Sequence, residues 1–292
     1  MTRFFTFVST MRAISFIFVA LHVAALILGL FGMLVAIPHP ELWVGNKEGE
    51  AFFALALSRD GATGLVLATI AMLAYGFYAL GWRKTVIFFV CSFALSATAE
   101  LVGTKTGFPF GGYEYTDFLG AKILGRVPYS VPLSWFYMGF ASYILAAAFV
   151  GNRNPRANPL WAVLLGTWLL TTWDLVLDPA MASPAMRYIH FWIWHTQGPY
   201  FGMPLGNLVG WFGTGFVFIG VARLWWRTDL DPKGLPLDIP FIVYVVNILW
   251  AMVLSTSAGL WPSAVAAIVT SILPAVLARR SRSRGSVSSA SY

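Results

Sequence analysis

The chain has 292 residues, 58% of them hydrophobic and only 11% charged, with a mean hydropathy of +0.72 and a formal net charge of +7. A soluble domain carries about 25% charged residues, so too few charges exist here to wet a surface, and lipid must be the solvent for most of the chain. A single cysteine, Cys91, excludes an internal disulfide framework and a cysteine metal site, and basic residues scattered between apolar runs or gathered in the Ser-rich tail exclude a nucleic-acid binder.

In chain order, eight apolar runs lie at about 13–37, 62–81, 85–102, 132–151, 159–178, 204–226, 239–258 and 260–278. Each is close to the roughly 20 residues a helix needs to cross the hydrocarbon. In lipid the backbone must satisfy itself, so the runs are expected to be helices. The expected fold is an all-α polytopic transmembrane bundle of eight spans, with seven as the alternative because Gly and Pro interrupt the sixth and last runs. The first run is too long for a signal-peptide core and no small-residue cleavage site precedes Pro38, so it is expected to stay as an anchor. One transmembrane domain over 1–278 and a disordered basic cytoplasmic tail over 279–292 complete the plan. Lys and Arg number 13 on the side that takes both termini and 6 on the other. The positive-inside rule then puts both termini in the cytoplasm, as for a multi-pass protein of the cell membrane.

Two long connections, 103–131 and 179–203, fall on the outer side. The second holds the aromatic run Tyr188 to His195, for which an aromatic belt at headgroup level is the favoured reading. A short internal repeat links the two regions. Pro128-Tyr129, Pro132-Leu133, Trp135-Phe136 and Gly139-Phe140 are echoed by Pro199-Tyr200, Pro204-Leu205, Trp211-Phe212 and Gly215-Phe216. An acid precedes each set, Glu100 and Asp174. The pattern suggests that spans three and four are repeated, in parallel, by spans five and six.

Of twelve acids only Glu100, Asp174 and Asp178 belong to the apolar runs. A charge in the bilayer costs a few kcal/mol, which makes each a candidate functional group. All three sit toward the outer ends of spans three and five, at one depth. Asp174 and Asp178 are four apart, about 6 Å along one helix face. Pro179 is expected to end that helix, which sets the pair against the negative end of the helix dipole. Desolvation and a like neighbour further disfavour charge there. Asp174, one turn deeper, is the expected proton donor, with Asp178 beside it and Glu100 ordering a water. Structural roles compete: pairing of the aspartates with Arg126 or Arg187, and an interhelical hydrogen bond for Glu100. Glu114 and Asp117 belong to a loop that could close over the site, although for Asp117 a solvated loop is favoured. His190 and His195, five apart, suit an interface rather than a metal, since no HExxH spacing exists. His22 and Asn247 are expected to make interhelical hydrogen bonds, as is Asn207. No phosphate loop, no GxSxG elbow and no lysine placed for a retinal Schiff base is present.

The segments ELVGTKTGFPFGGYEY (100–115), PLSWFYMGF (132–140), WDLVLDPAM (173–181) and PYFGMPLGNLVGWF (199–212) resemble the carotenoid biosynthesis membrane proteins of the CruF type, over roughly residues 85–260. That resemblance implies cofactor-independent addition of water to the terminal 1,2 double bond of an acyclic carotenoid, of the lycopene or gamma-carotene type. The product would be a 1-hydroxy carotenoid. Such a reaction needs an acid, a positioned water and a base, and no metal. Aromatic faces can stabilise the intermediate cation; Tyr113, Tyr115, Trp135, Trp173 and Trp211, with Asn207, are the expected substrate-binding residues. Implied partners are the carotenoid, water, membrane lipid and other enzymes of the same pathway. Two other readings stand beside it. One is a membrane polyprenyl transferase holding Mg²⁺ at Asp174 and Asp178. The other is a transporter or lipid-binding protein using the acids as proton relays.

Overall fold

The computed structural model describes residues 2–154, 156–187, 189–226, 230–232 and 234–287. Tyr188, Arg227 and Lys233, used in the sequence reading, lie outside them. Eight helical segments are long and apolar enough to cross a membrane, Phe5–Ala36, Gly61–Ala79, Trp82–Thr106, Ser130–Arg153, Leu160–Ala182, Gly206–Trp226, Asp238–Ser257 and Trp261–Ser281. The fold is an all-α polytopic bundle, as the apolar runs indicate.

The first helix, α1 (Thr2–Phe31), passes through a π-helical turn (Gly32–Ala36) and a 3₁₀ turn (Pro40–Leu42) into α2 (Lys47–Ala79). Helix α2 starts fourteen residues or so before the expected span. The Asn46 side chain accepts the Glu48 N–H at 3.0 Å and Gly49 N–H at 3.4 Å, while Glu48 and Glu50 sit in the first turn. A capped, acid-bearing N-terminus starts a helix even where the sequence is too polar to span. After α3 (Trp82–Thr106) the chain turns at Gly107, whose φ of 80° only glycine adopts readily. Strand β1 (Tyr113–Tyr115) and the small hairpin β2 (Lys122–Ile123) and β3 (Val127–Pro128) fill the first long connection before α4 (Ser130–Arg153). Then follow α5 (Leu160–Ala182), β4 (Trp192–Trp194), α6 (Gly206–Trp226) and α7 (Asp238–Ser257). The last span is α8 (Trp261–Ala267), a π turn (Ile268–Ile272) and α9 (Leu273–Val287). Helix α9 continues into the segment expected to be a tail.

Helix α4 is the centre. Trp135 through Ala148 are buried on every face, the signature of a helix enclosed by other helices. Close approach needs small residues. A Cβ on Gly139 would meet the Phe218 ring at 2.6 Å, and one on Gly166 would meet Tyr143 Cα at 3.0 Å. Helix α3 packs on α4 and α6, and α5 packs on α6 and α4. The pairs α3–α4 and α5–α6 thus exchange neighbours, as a two-fold relation between them requires. Strands β1 and β4 pair antiparallel across it, Tyr113 opposite Trp194 and Tyr115 opposite Trp192. The two outer connections are therefore one structure on one side of the bundle.

Pro179 does not end α5, which runs to Ala182. Proline lacks the N–H that would bond the carbonyl four residues back. That carbonyl, on Leu175, instead accepts the Tyr200 hydroxyl at 2.8 Å. Burial, and then Asp174 and Asp178, push the Tyr200 phenol up to about 12, so it stays a donor at neutral pH. On the opposite side Arg279 pairs with Asp238 at 2.8 Å, and the Trp226 indole donates to the Lys84 carbonyl at 2.9 Å.

Two outcomes are expected. Tyr200→Phe leaves the Leu175 carbonyl unpaired and should lower stability by about 1–3 kcal/mol, read as a lower unfolding midpoint in detergent; an unchanged midpoint would show that Pro179 needs no such partner. In a Cys91→Ala background, cysteines at Lys122 and Arg284 should label from opposite sides, Arg284 from the cytoplasm. Labelling of both from one side would refute the orientation.

Candidate active site

The three acids of the apolar spans, Glu100 on α3 and Asp174 and Asp178 on α5, meet at the end of the bundle that carries the two long connections. Glu100, in the penultimate turn of α3, is buried. Its Oε2 accepts the Tyr113 hydroxyl and, at 2.8 Å, the Tyr115 hydroxyl; its Oε1 accepts the Trp135 indole at 2.9 Å. Both tyrosines lie on β1, where a period of two puts residues 113 and 115 on one face. Burial first, and the Glu100 carboxyl next, push both phenols well above the usual tyrosine range. They remain donors at any physiological pH.

The second half repeats the plan. Asp178, near the end of α5, is buried, and its Oδ1 accepts the Trp194 indole at 2.8 Å and the Trp192 indole at 3.3 Å. These indoles sit at alternate positions of β4, with Ile193 between them 47% exposed. Helix α6 adds Asn207, whose Nδ2 donates to Asp178 Oδ2 at 2.9 Å and to Asp174 Oδ2 at 2.7 Å. Each half thus offers one acid at a helix end and two aromatic donors on a strand. The next helix contributes a tryptophan. Trp135 and Trp211 stack on each other at 4.1 Å, and Trp173 meets Trp211 edge-on at 5.8 Å. The partner of Glu100 under this relation is Asp178, rather than the Asp174 suggested by the sequence spacing.

A cavity of about 340 Å³ opens between these elements. Tyr113, Tyr115, Trp135, Trp173, Trp211 and Asn207, the expected substrate-binding residues, all line it. Glu100 and Asp178 are on its wall too, whereas Asp174 is not among the lining residues. Asp174 is fully buried behind Asp178, and its Oδ1 has no protein partner. Trp173 lines the cavity, and its buried indole N–H likewise has no partner among the described residues. Among the described residues, no Lys or Arg lines the cavity.

Several expectations change. The run 188–195 is not a headgroup belt: Trp192 and Trp194 are buried donors to Asp178, because the segment folds back as a strand over the site. Their signal in the sequence is the alternation Trp-Ile-Trp. Neither Arg126 nor Arg187 has a described ion pair with an aspartate; Arg126 donates to the Thr104 carbonyl at 3.2 Å. Glu114 points away from the site and lies 3.7 Å from His195 on the exposed face, and Asp117 pairs with Lys122 at 2.7 Å. His190 bonds the Ser183 carbonyl at 3.1 Å. His22 and Asn247 form an interhelical chain that reaches the cavity wall at Gly64, Tyr137 and Asn247: His22 Nδ1 meets the Gly64 carbonyl at 2.8 Å, Asn247 Nδ2 meets His22 Nε2 at 3.0 Å, and the Tyr137 hydroxyl donates to Asn247 Oδ1 at 3.2 Å.

The carotenoid biosynthesis protein family matches residues 61–274. Among curated proteins, the bisanhydrobacterioruberin hydratase of Haloarcula japonica is 33% identical over 171 residues, covering 58% of this chain and 54% of that relative. The chain therefore spans about half the length of the curated relative it matches. No solved structure matches.

Asn207 is the one amide shared by both buried aspartates. Asn207→Leu should destabilise the protein by about 3 kcal/mol, because it removes the one described donor to the buried Asp174 carboxyl and one of three to Asp178. A thermal unfolding midpoint equal to wild type would show that the amide does not hold the pair.

Proposed function

The chain belongs to the family of carotenoid biosynthesis proteins, and from that premise we propose that it hydrates the terminal 1,2 double bond of an acyclic carotenoid end, of the lycopene or gamma-carotene type, in the cell membrane. The name of the Haloarcula relative, a hydratase, supports the reaction class. The observation that carries the reading is a pair of acids, Glu100 and Asp178, one from each half of the repeat, on the wall of one largely aromatic and apolar cavity.

Adding water to a trisubstituted alkene requires a proton at C2, a tertiary cation at C1, water at C1 and a base for the released proton. Asp178 is the cavity-facing acid and gives its proton to C2. The π electrons of the double bond form the C2–H bond and leave the cation at C1. The faces of Trp135, Trp173 and Trp211 stabilise that cation without bonding to it. A water oxygen in the cavity forms the C1–O bond and passes its extra proton to Glu100. A proton returned from Glu100 to Asp178 through the cavity restores the starting state. One water is added for each end. Asp174, off the cavity wall, acts through Asn207 as the positioning partner of Asp178, a role that differs from donor. Tyr113, Tyr115, Trp192 and Trp194 hold the two acids in place from the paired strands.

The polyprenyl transferase reading has less support. Indole and amide N–H groups point at three of the four carboxylate oxygens of Asp174 and Asp178 that Mg²⁺ would need.

In cells that accumulate lycopene, expression of this protein should yield pigments heavier by one water per reacted end. Asp178→Asn and Glu100→Gln should each cut turnover by about 10²–10⁴-fold in protein that still folds, while Asp174→Asn costs less. Near wild-type turnover by Asp178→Asn would remove it as the donor. Purified protein should also keep its rate with chelator present; a loss restored by Mg²⁺ would favour the transferase.

A further inference from the structure

Fourteen of the 39 residues lining the cavity precede residue 61, where the family match begins, and all fourteen are apolar or glycine. They come from the end of α1, the π turn, the 3₁₀ turn and the early part of α2. Phe31, Leu42 and Phe52 line the cavity and are also 52%, 61% and 60% exposed, so the cavity reaches the surface of the bundle at this point. The rim is built: the Trp43 ring stacks on Phe53 at 4.0 Å, and its indole donates to the Ala36 carbonyl at 2.8 Å. The π turn that contains Ala36 is a rare backbone form, found often at functional sites. Within it Gly32 is a lining residue with no atom within 4 Å of where a Cβ would stand.

We propose that this N-terminal segment, outside the family-matched region, is the lateral mouth of the cavity and binds the apolar chain of the substrate behind its reacting end. The inference rests on the hydratase reading for the identity of that chain, a polyene, and deepens it by assigning where chain length is sensed. The acids and aromatic donors handle one terminus and come from residues 100–211. The described residues of the mouth are apolar or glycine and lie on the same continuous cavity, so the mouth suits a long hydrocarbon lying between helices with its end at Glu100 and Asp178. Gly32 marks the free space through which that chain passes.

The test compares wild type, Gly32→Ala and Gly32→Phe in phospholipid nanodiscs, none of which alters an acid or a donor. Binding of lycopene is followed by quenching of tryptophan emission, and turnover is measured for lycopene and for a short acyclic terpene with the same reacting end. Gly32→Phe should weaken lycopene binding and raise its KM by roughly tenfold or more, leave the short terpene unchanged, and so report a folded site. Gly32→Ala should behave as wild type. Equal behaviour of wild type and Gly32→Phe toward lycopene would overturn the mouth, as would equal loss of both substrates. So would lycopene quenching that wild type shows in detergent and loses in the phospholipid nanodiscs, since the occupant would then be a lipid acyl chain. Wild type that binds lycopene but hydrates neither compound would instead refute the hydratase reading, while the binding difference still decides the mouth.

Discussion

A carboxyl group taken into hydrocarbon must be met by hydrogen-bond donors, since no bulk water can serve it. Glu100 and Asp178 are satisfied almost entirely by aromatic N–H and O–H groups. Trp135 donates from the neighbouring helix α4, and the other four aromatic donors lie in the two long connections, on β1 and β4. The chain therefore folds each outer connection back over the bundle as a short strand. The pairing of β1 with β4 makes one lid from two loops, and the alternation of a strand aims two rings per strand at the acids. The shape of the outer face follows from this need.

The two-fold relation explains why the site has two acids rather than a cluster. Each half contributes an acid at a helix end, a strand with two donors and a tryptophan on the following helix. The tryptophans stack at the axis, 4.1 Å apart. Glu100 and Asp178 thus reach one cavity from separate halves. Asp174 breaks the symmetry. It adds a second carboxyl to one half only, linked to Asp178 through Asn207.

The spans were legible in the sequence because hydropathy reports what lipid demands, and the acids were legible because charge is rare there. The pairing of Glu100 with Asp178 was not, since the repeat in sequence aligns Pro132 with Pro204 and points to Asp174. Trp192 and Trp194 were hidden among residues that an interface belt would also favour. Only the backbone pairing with Tyr113 and Tyr115 separates the two. Pro179 misled for a tertiary reason: Tyr200, far along the chain, supplies the bond that proline cannot. The N-terminal contribution to the cavity was also invisible, because apolar residues on an anchor helix carry no mark of what they line.

The central claim is that one water is added across one carbon–carbon double bond by protein acids alone. The direct measurement is mass spectrometry of the product formed by purified protein in lipid, with lycopene as substrate, in separate reactions in H₂¹⁸O and in D₂O. The account predicts one ¹⁸O in the new tertiary hydroxyl and one non-exchangeable deuterium on the adjacent carbon for each reacted end. Product whose oxygen does not come from solvent, or whose adjacent carbon carries no solvent hydrogen, would contradict it.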